Sequence, residues 1–397
     1  MMMRRQAVPR MVLFLMILTT AALAASSAAT LRASAIKTVE TTLAAEVSRW
    51  NAPGLSAAVV TDYHLVWSWG LGLADLEQQI PATTATVYRI ASISKTITAV
   101  AVMQLAEQAR LDLDAPIQRY CPAFPQKPWP ITARQLLGHL GGIRHYSNME
   151  EFYSTRHYTD MVKPLALFKD DPLRYEPGTK FSYTTYGYNV LGCAIEGASG
   201  MTYVDYVREH IFWPVDMRHT NPDDVYAIIP HRGRAYRKGP NGELQHAPLA
   251  DTSNKIPGGG WCSTAEDLAK FAMAVETGSL VTKTTLAQMF TRQKTRDGQD
   301  IPFGLGWVVG VRKAHKEVWH LGGAQGVSTI LFMRPEQGLA VVLLLNMGGL
   351  STPPATAPIL ELARQVAEIV SPSHQAALKG PGDHRARVPS EISTPAP

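Results

Sequence analysis

The stretch "RIASISKTITAV", residues 89–100, sets a serine and a lysine three positions apart at the head of a run with hardly a charge. From Thr96 to Leu105 the segment is apolar on nearly every face, and Gln104 is its only strongly polar residue. A helix that is apolar all round is a buried, central one. Ser92 is therefore expected on the first turn of that helix, with Lys95 one turn on and on the same face. The S-x-x-K pattern alone decides nothing, because "SAIK" at Ser34–Lys37 repeats it in a stretch with no other sign of function.

Working outward, "SAIKTVETTLAAEVSRW" (34–50) has helical spacing. "GLSAAVVTDYHLVWSWGLGLAD" (54–75) is rich in Val, Trp and Tyr, breaks at Asp62-Tyr63-His64, and reads as a hairpin. "ATVYRIA" (85–91) runs extended into the Ser92 segment. Residues of about 110–230 look mostly helical and loop-rich. "RGRAYRKGPNGELQHAP" (232–248) suggests a second hairpin around Pro-Asn-Gly. "STAEDLAKFAMAVETG" (263–278) opens with a capping box, Ser263 to Glu266, and closes on Gly278. "FGLGWVVGVRK" (303–313), "EVWHLGG" (317–323), "VSTILFMRP" (327–335) and "LAVVLLLNMG" (339–348) are β-rich, and "PPATAPILELARQVAEIV" (353–370) is a last helix. Strands and a helix thus lie at both chain ends, around a mostly helical insertion at about 110–230. That order predicts an α/β (α+β) domain over 34–370: one antiparallel sheet built from both ends, flanked by helices, with Ser92 at its junction with the insertion. Residues 371–397, rich in Pro, Ser and charge, are expected to be a disordered tail.

The chain has 397 residues, 46% hydrophobic and 18% charged, enough to bury a large core without disulfide staples. Its start is a different matter. "MMMRRQAVPR" is positive, "MVLFLMILTTAALA" is apolar, and Ala22-Leu23-Ala24 is a small-x-small cleavage signature. Residues 1–24 read as a secretory signal peptide, which makes the mature protein secreted or periplasmic. The apolar run is short against the ~20 residues of a spanning helix; an uncleaved membrane anchor and a mitochondrial presequence are the alternatives. Removing Arg4, Arg5 and Arg10 takes the formal charge from +5 to +2, which gives no reason to expect nucleic acid. Cys121, Cys193 and Cys262 are odd in number and widely spaced, which argues against a disulfide framework and a zinc site. They read as small core residues, with one disulfide left open in an oxidising compartment. No HExxH, P-loop or GxGxxG occurs, so no metal or cofactor is expected.

To attack a carbonyl near neutral pH, serine needs a base, an anchor for the base and donors for the oxyanion. Lys95 can take or relay the hydroxyl proton, and its pKa would fall in a buried site. The helix N-terminus favours negative charge developing on Ser92. In "FSYTTYGYNVLG" (181–192), Tyr183 is the candidate general base if two cations hold it partly ionised. Tyr186 and Tyr188 are read as packing. In "WHLGGAQG" (319–326), His320 is followed by Gly322 and Gly323, which let a substrate lie along the strand edge beneath a backbone N–H.

S-x-x-K, then a tyrosine motif, then (K/H)-x-G, in that order, resembles the serine β-lactamase and penicillin-binding-protein superfamily. With a tyrosine motif in place of S-D-N, the chain is similar to the class C-like branch. Within that branch it looks most like an animal mitochondrial β-lactamase-like protein and its bacterial relatives. "YRIASISKTIT", "LDLDAPIQRYCPAFP", "ITARQLLGHLGGIRHY", "LALFKDDPLRYEPGTKFSYTTYGYNVLG", "GGGWCSTAEDLAKF" and "HLGGAQGVS" carry the likeness over roughly residues 38–348. The resemblance implies a β-lactamase/transpeptidase-like fold, with Ser92 as acylated nucleophile, Lys95 as its proton partner and Tyr183 as the activating base. It implies an oxyanion hole from the N–H groups of Ser92 and Gly323, Thr185 and Gly322 at the substrate, and His139 as a structural brace.

Two departures bear on function. Thr185 stands where class C β-lactamases carry asparagine, and a hydroxyl cannot reproduce an amide's contacts. His320 replaces lysine, so a fixed positive charge becomes a titratable one. Both favour a secreted peptidase or amidase, then an esterase, over a β-lactamase or D-alanyl-D-alanine carboxypeptidase. A penicillin-recognising sensor or scaffold without turnover is the reading from another class. The partner is a small-molecule or peptide substrate, and homo-oligomerisation is left open.

Overall fold

The computed structural model describes residues 33–352 and 356–371; the expected signal peptide and tail fall outside the described residues. A helix over 33–50 (α1) leads into β1 (Gly54–Thr61) and β2 (His64–Asp75). Their two-residue turn, Asp62-Tyr63, has both φ angles positive, at 51° and 61°, which suits the right-handed twist of a tight hairpin. A short β3 (Ile80–Pro81) follows. The chain returns to this sheet only with β4 (Val308–Arg312), β5 (His315–Ala324), β6 (Val327–Arg334) and β7 (Leu339–Leu345). The strand order is β3-β2-β1-β7-β6-β5-β4, and every neighbouring pair is antiparallel. β1 pairs with β7 from Leu55↔Leu345 to Val60↔Ala340, so the first and last strands meet at the sheet's centre, within the single sheet built from both chain ends.

Both faces of this sheet are covered, and the period of two shows which side chains go where. Leu55, Ala57, Val59, Val341, Leu343 and Leu345 pack against Val39, Leu43, Val47 and Trp50 of α1 and against α5 (Pro358–Val370). Ala58, Val60, Val342 and Leu344 point the other way, into the core that holds α2 (Ser94–Glu107) and α4 (Ala265–Thr277). Every residue of α2 from Ser94 to Leu105 is buried, as its all-round apolar pattern requires. Full burial stabilises each large apolar side chain there by about 1.5–3 kcal/mol. α2 is thus a fixed post on which the Ser92 turn stands.

Several expectations need correction. Between 110 and 230 the long helical stretches are α3 (Tyr186–Ser199) and a run over 203–215 that passes from α through π to 3₁₀; the other helical pieces are one or two turns long. Pro116, Pro122, Pro125, Pro128, Pro130, Pro164, Pro172 and Pro177 break the chain there, because proline lacks the N–H that a continuing helix needs. The cap of α4 is Thr264, accepting from Asp267 N–H at 3.1 Å. Ser263 is unavailable for that role, being strand residue and bonded to Thr220 at 2.8 Å. Gly278 does close the helix, at φ 86°. The cysteines are not all core thiols either: Cys121 and Cys193 form a disulfide, and Cys262 is buried and free. The bond ties the loop at 121 to α3. Beside it a Cβ at Gly197 would stand 1.8 Å from Tyr120 O, so only glycine lets helix and loop approach this closely.

Candidate active site

Ser92 lies in a 3₁₀ turn (Ala91–Ile93), and the α-helix proper begins at Ser94; this places the serine just ahead of α2 rather than on its first turn. Ala91 there has φ 48°, a conformation costly for a residue with a side chain. Three contacts over-determine the turn. Ile90 N–H donates to Trp261 O at 3.0 Å, Thr329 Oγ1 donates to Ile90 O at 3.0 Å, and Trp261 N–H donates to Ser94 Oγ at 3.3 Å. Strand β5 closes against the same turn through Gly322. A Cβ at that position would meet Thr329 Oγ1 at 2.0 Å and Ile90 O at 2.3 Å, so glycine is obligatory. The next residue, Gly323, is exposed.

Lys95 is fully buried, and its Nζ is 3.1 Å from Ser92 Oγ, 3.2 Å from Thr185 Oγ1 and 2.5 Å from Gly258 O. Burial, and then the charge of Lys255, hold its pKa well below the ordinary lysine value. A neutral amine has two N–H groups and one lone pair for these three partners. Gly258 O can only accept and takes one N–H, whereas the Thr185 and Ser92 hydroxyls can each donate or accept. With Thr185 accepting the second N–H, the lone pair faces the hydroxyl proton of Ser92.

The Tyr183 hydroxyl lies near that of Ser92. Its ring lies 4.9 Å from Lys95 Nζ, 4.4 Å from the His139 ring and 6.3 Å from the His320 ring. The expected ionised tyrosine is not what these surroundings favour: burial of the hydroxyl pushes its pKa far above the usual phenol value. His320 supplies no compensating charge. Its Nδ1–H donates to Leu321 O at 2.7 Å, which fixes the tautomer, while Nε2 is buried with no hydrogen-bond partner among the described residues. Burial, then Lys95, lowers its pKa to about 3, so the charge expected to titrate near neutrality is absent throughout that range.

Thr185 is buried; its side chain lies near the Tyr146 hydroxyl, and besides Lys95 it bonds His145 Nδ1 through its N–H, at 3.2 Å. His139 accepts from Thr184 N–H at 3.2 Å and offers its own carbonyl to Ser182 N–H at 3.0 Å. It braces the tyrosine loop from both sides. Tyr188 donates to Leu137 O at 2.9 Å and Tyr186 to Glu151 at 2.8 Å, in keeping with packing roles. Sequence reasoning missed His145, Tyr146 and Lys255. The first two stand in the quoted "GIRHY" block, and the third is a lone cation ahead of "IPGGG", a signal legible only once that turn is known to hold Lys95. Among the described residues no group of His, Cys, Asp and Glu could hold a metal ion.

The family described as Beta-lactamase matches residues 39–364. The chain is 31% identical over 381 residues to the human serine beta-lactamase-like protein LACTB, mitochondrial, covering 72% of this chain and 70% of that protein. The octameric penicillin-binding protein homologue from Pyrococcus abyssi superposes with a TM-score of 0.70 at 25% identity, covering 84% of this chain and 77% of that one. The D-amino acid amidase from Ochrobactrum anthropi SV3 shares the fold at a TM-score of 0.74 and 23% identity, covering 85% and 99%. The antiparallel sheet with its helical layers is therefore the β-lactamase/transpeptidase-like fold that the three motifs imply.

Proposed function

Because the chain belongs to the Beta-lactamase family of serine hydrolases, we propose that it cleaves a small amide or peptide through an acyl-enzyme on Ser92, with Lys95 as the base. The observation that carries this is the buried Lys95 amine, with Nζ 3.1 Å from Ser92 Oγ and bonded to Thr185 Oγ1 and Gly258 O. The Ser92 Oγ–carbon bond forms as the hydroxyl proton moves to Lys95 Nζ. The N–H groups of Ser92 and Gly323 hold the oxyanion. Collapse breaks the carbonyl–nitrogen bond, and the leaving amine takes the proton from Lys95, with the Tyr183 hydroxyl beside it as relay. Water then attacks the Ser92 ester, giving its proton to Lys95, which returns it to Ser92 Oγ.

Two features rank the substrates. An uncharged His320 offers no fixed cation to a substrate carboxylate, and the Thr185 hydroxyl is already engaged by Lys95. Amides and short peptides therefore come first, esters second, and β-lactams last. The test is a panel of D-amino acid amides, short peptides, p-nitrophenyl esters and nitrocefin, run beside a fluorophosphonate probe. Turnover of an amide or peptide with the lowest kcat/KM on nitrocefin is expected. Stoichiometric labelling of Ser92 without any product release would make the protein a sensor and overturn the reading.

The site of action we infer is outside the cytosol, in the periplasm or medium. The charged and apolar start of the chain supports export, and so does the Cys121–Cys193 disulfide, a bond that persists in oxidising compartments. Among the described residues no helix is long and apolar enough to cross a membrane. N-terminal sequencing of material from the periplasm or medium is expected to begin at Ala25. Intact Met1 in a membrane fraction would instead mean an anchor.

A further inference from the structure

A second lysine lies in the same interior. Lys255 is 3% exposed, starts the turn whose Gly258 carbonyl accepts from Lys95, and makes no ion pair among the described residues. Its Nζ donates to Phe152 O at 2.8 Å and sits 5.0 Å from the ring centroids of both Tyr146 and Phe152. The Tyr146 hydroxyl lies near the Thr185 side chain, and Thr185 accepts from Lys95. The two lysines are thus joined through one aromatic ring and one hydroxyl. Gln325, from the turn after β5, donates to the same Phe152 carbonyl.

We propose that Lys255 is a positioning residue for the reaction at Ser92: its ammonium keeps Lys95 a free amine. This rests on Lys95 being the base there. Two ammonium groups in one buried region repel, so the second proton binds less readily than the first. The surroundings decide which lysine carries the first. Around Lys255, Asp223 and Asp251 favour the charged form, although Arg89, bonded to Asp223 at 2.6 Å, opposes it, and Asp251 is paired with His157 at 2.8 Å. Lys95 has no carboxylate acting on it; the groups around it are Thr185, Tyr183, Tyr188 and the imidazoles of His139 and His320. His145, facing both lysines, is itself held near about 4 by burial and by their charges, so it adds no cation. Burial, then Arg89, brings Lys255 down to about 7, which leaves it charged below neutrality. Of the two amines, one stores the proton and the other stays free to remove one, a division of labour set by environment.

The sign follows. Removing the Lys255 charge raises the proton affinity of Lys95, so the acid limb of the kcat/KM profile moves to higher pH, by about one unit or more. Lys255→Gln keeps a donor for Phe152 O without the charge, and Lys255→Met keeps neither; both are expected to shift the limb. Lys255→Arg retains the charge and is expected to leave it in place. A Gln variant with the wild-type limb would reduce Lys255 to a latch on Phe152 and overturn the proposal. A second measurement needs no inactive or unfolded variant. In ¹³Cε-lysine NMR of the wild type, one lysine signal, absent in Lys255→Arg, is expected to titrate near neutrality, and a second to remain uncharged below it. Lysines that all titrate above about pH 9 would rule the idea out. Should the wild type fail to label at Ser92, the hydrolase reading falls instead, which separates the two failures.

Discussion

Ser92→Ala is expected to lower kcat/KM by roughly 10⁴–10⁶-fold on every substrate the wild type accepts, and to abolish fluorophosphonate labelling. The size follows from what is removed: without Oγ there is no atom to form the acyl bond, and the Lys95 lone pair has no proton to take. Stability should change little, within about 1 kcal/mol, because the turn is held through Ile90, Trp261 and Thr329 rather than through the serine hydroxyl. Lys95 also keeps its bonds to Gly258 O and Thr185. The control lies in the same chain. Ser34 repeats the S-x-x-K pattern but is exposed on α1, and its Lys37 is 81% exposed with Glu40 as partner at 3.8 Å. Ser34→Ala should change nothing. Residual activity above a tenth of wild type in Ser92→Ala would exclude the covalent route.

The contrast between these two serines shows where the sequence was informative. The motif was the same in both, but only one preceded a run that is apolar on every face, and burial of α2 follows from that run alone. The order of the elements likewise indicated one antiparallel sheet built from both chain ends, while the pairing of β1 with β7 is seen only in the fold. What escaped is what depends on atoms brought together from afar. Lys95 and Lys255 are 160 positions apart, and the charge of Lys255 lowers the proton affinity of Lys95 only in the folded state. The charge of His320 was open for the same reason: the residue type permits ionisation near neutrality, whereas burial beside Lys95 forbids it. The pairing of Cys121 with Cys193 spans 72 positions and leaves no local trace. Even the one-residue shift of the α4 cap depended on Thr220 engaging Ser263 from outside the segment.

Lys95→Met separates the base from the nucleophile. Met has nearly the same volume and no proton chemistry, so the rate of Ser92 acylation is expected to fall by roughly 10²–10⁴-fold, the usual contribution of a general base. Stability changes in a direction that depends on pH. In the wild type the unfolded chain binds a proton at lysine up to about pH 10.4, while buried Lys95 does not. Stability linked to this group is therefore complete above the unfolded pKa and is lost as pH falls from there toward the depressed folded one. Met carries no such linkage. Its loss of donors to Gly258 O and Thr185 is a constant cost, about 1 kcal/mol for each bond. The stability of Lys95→Met relative to wild type should hence rise steadily as pH drops from about 10 to 7. Melting curves across that range read the slope. A flat difference would mean that Lys95 is charged in the folded protein and has no lone pair for Ser92. Wild-type acylation in a variant that does show the slope would leave the amine neutral but idle, and would transfer the role of base to Tyr183.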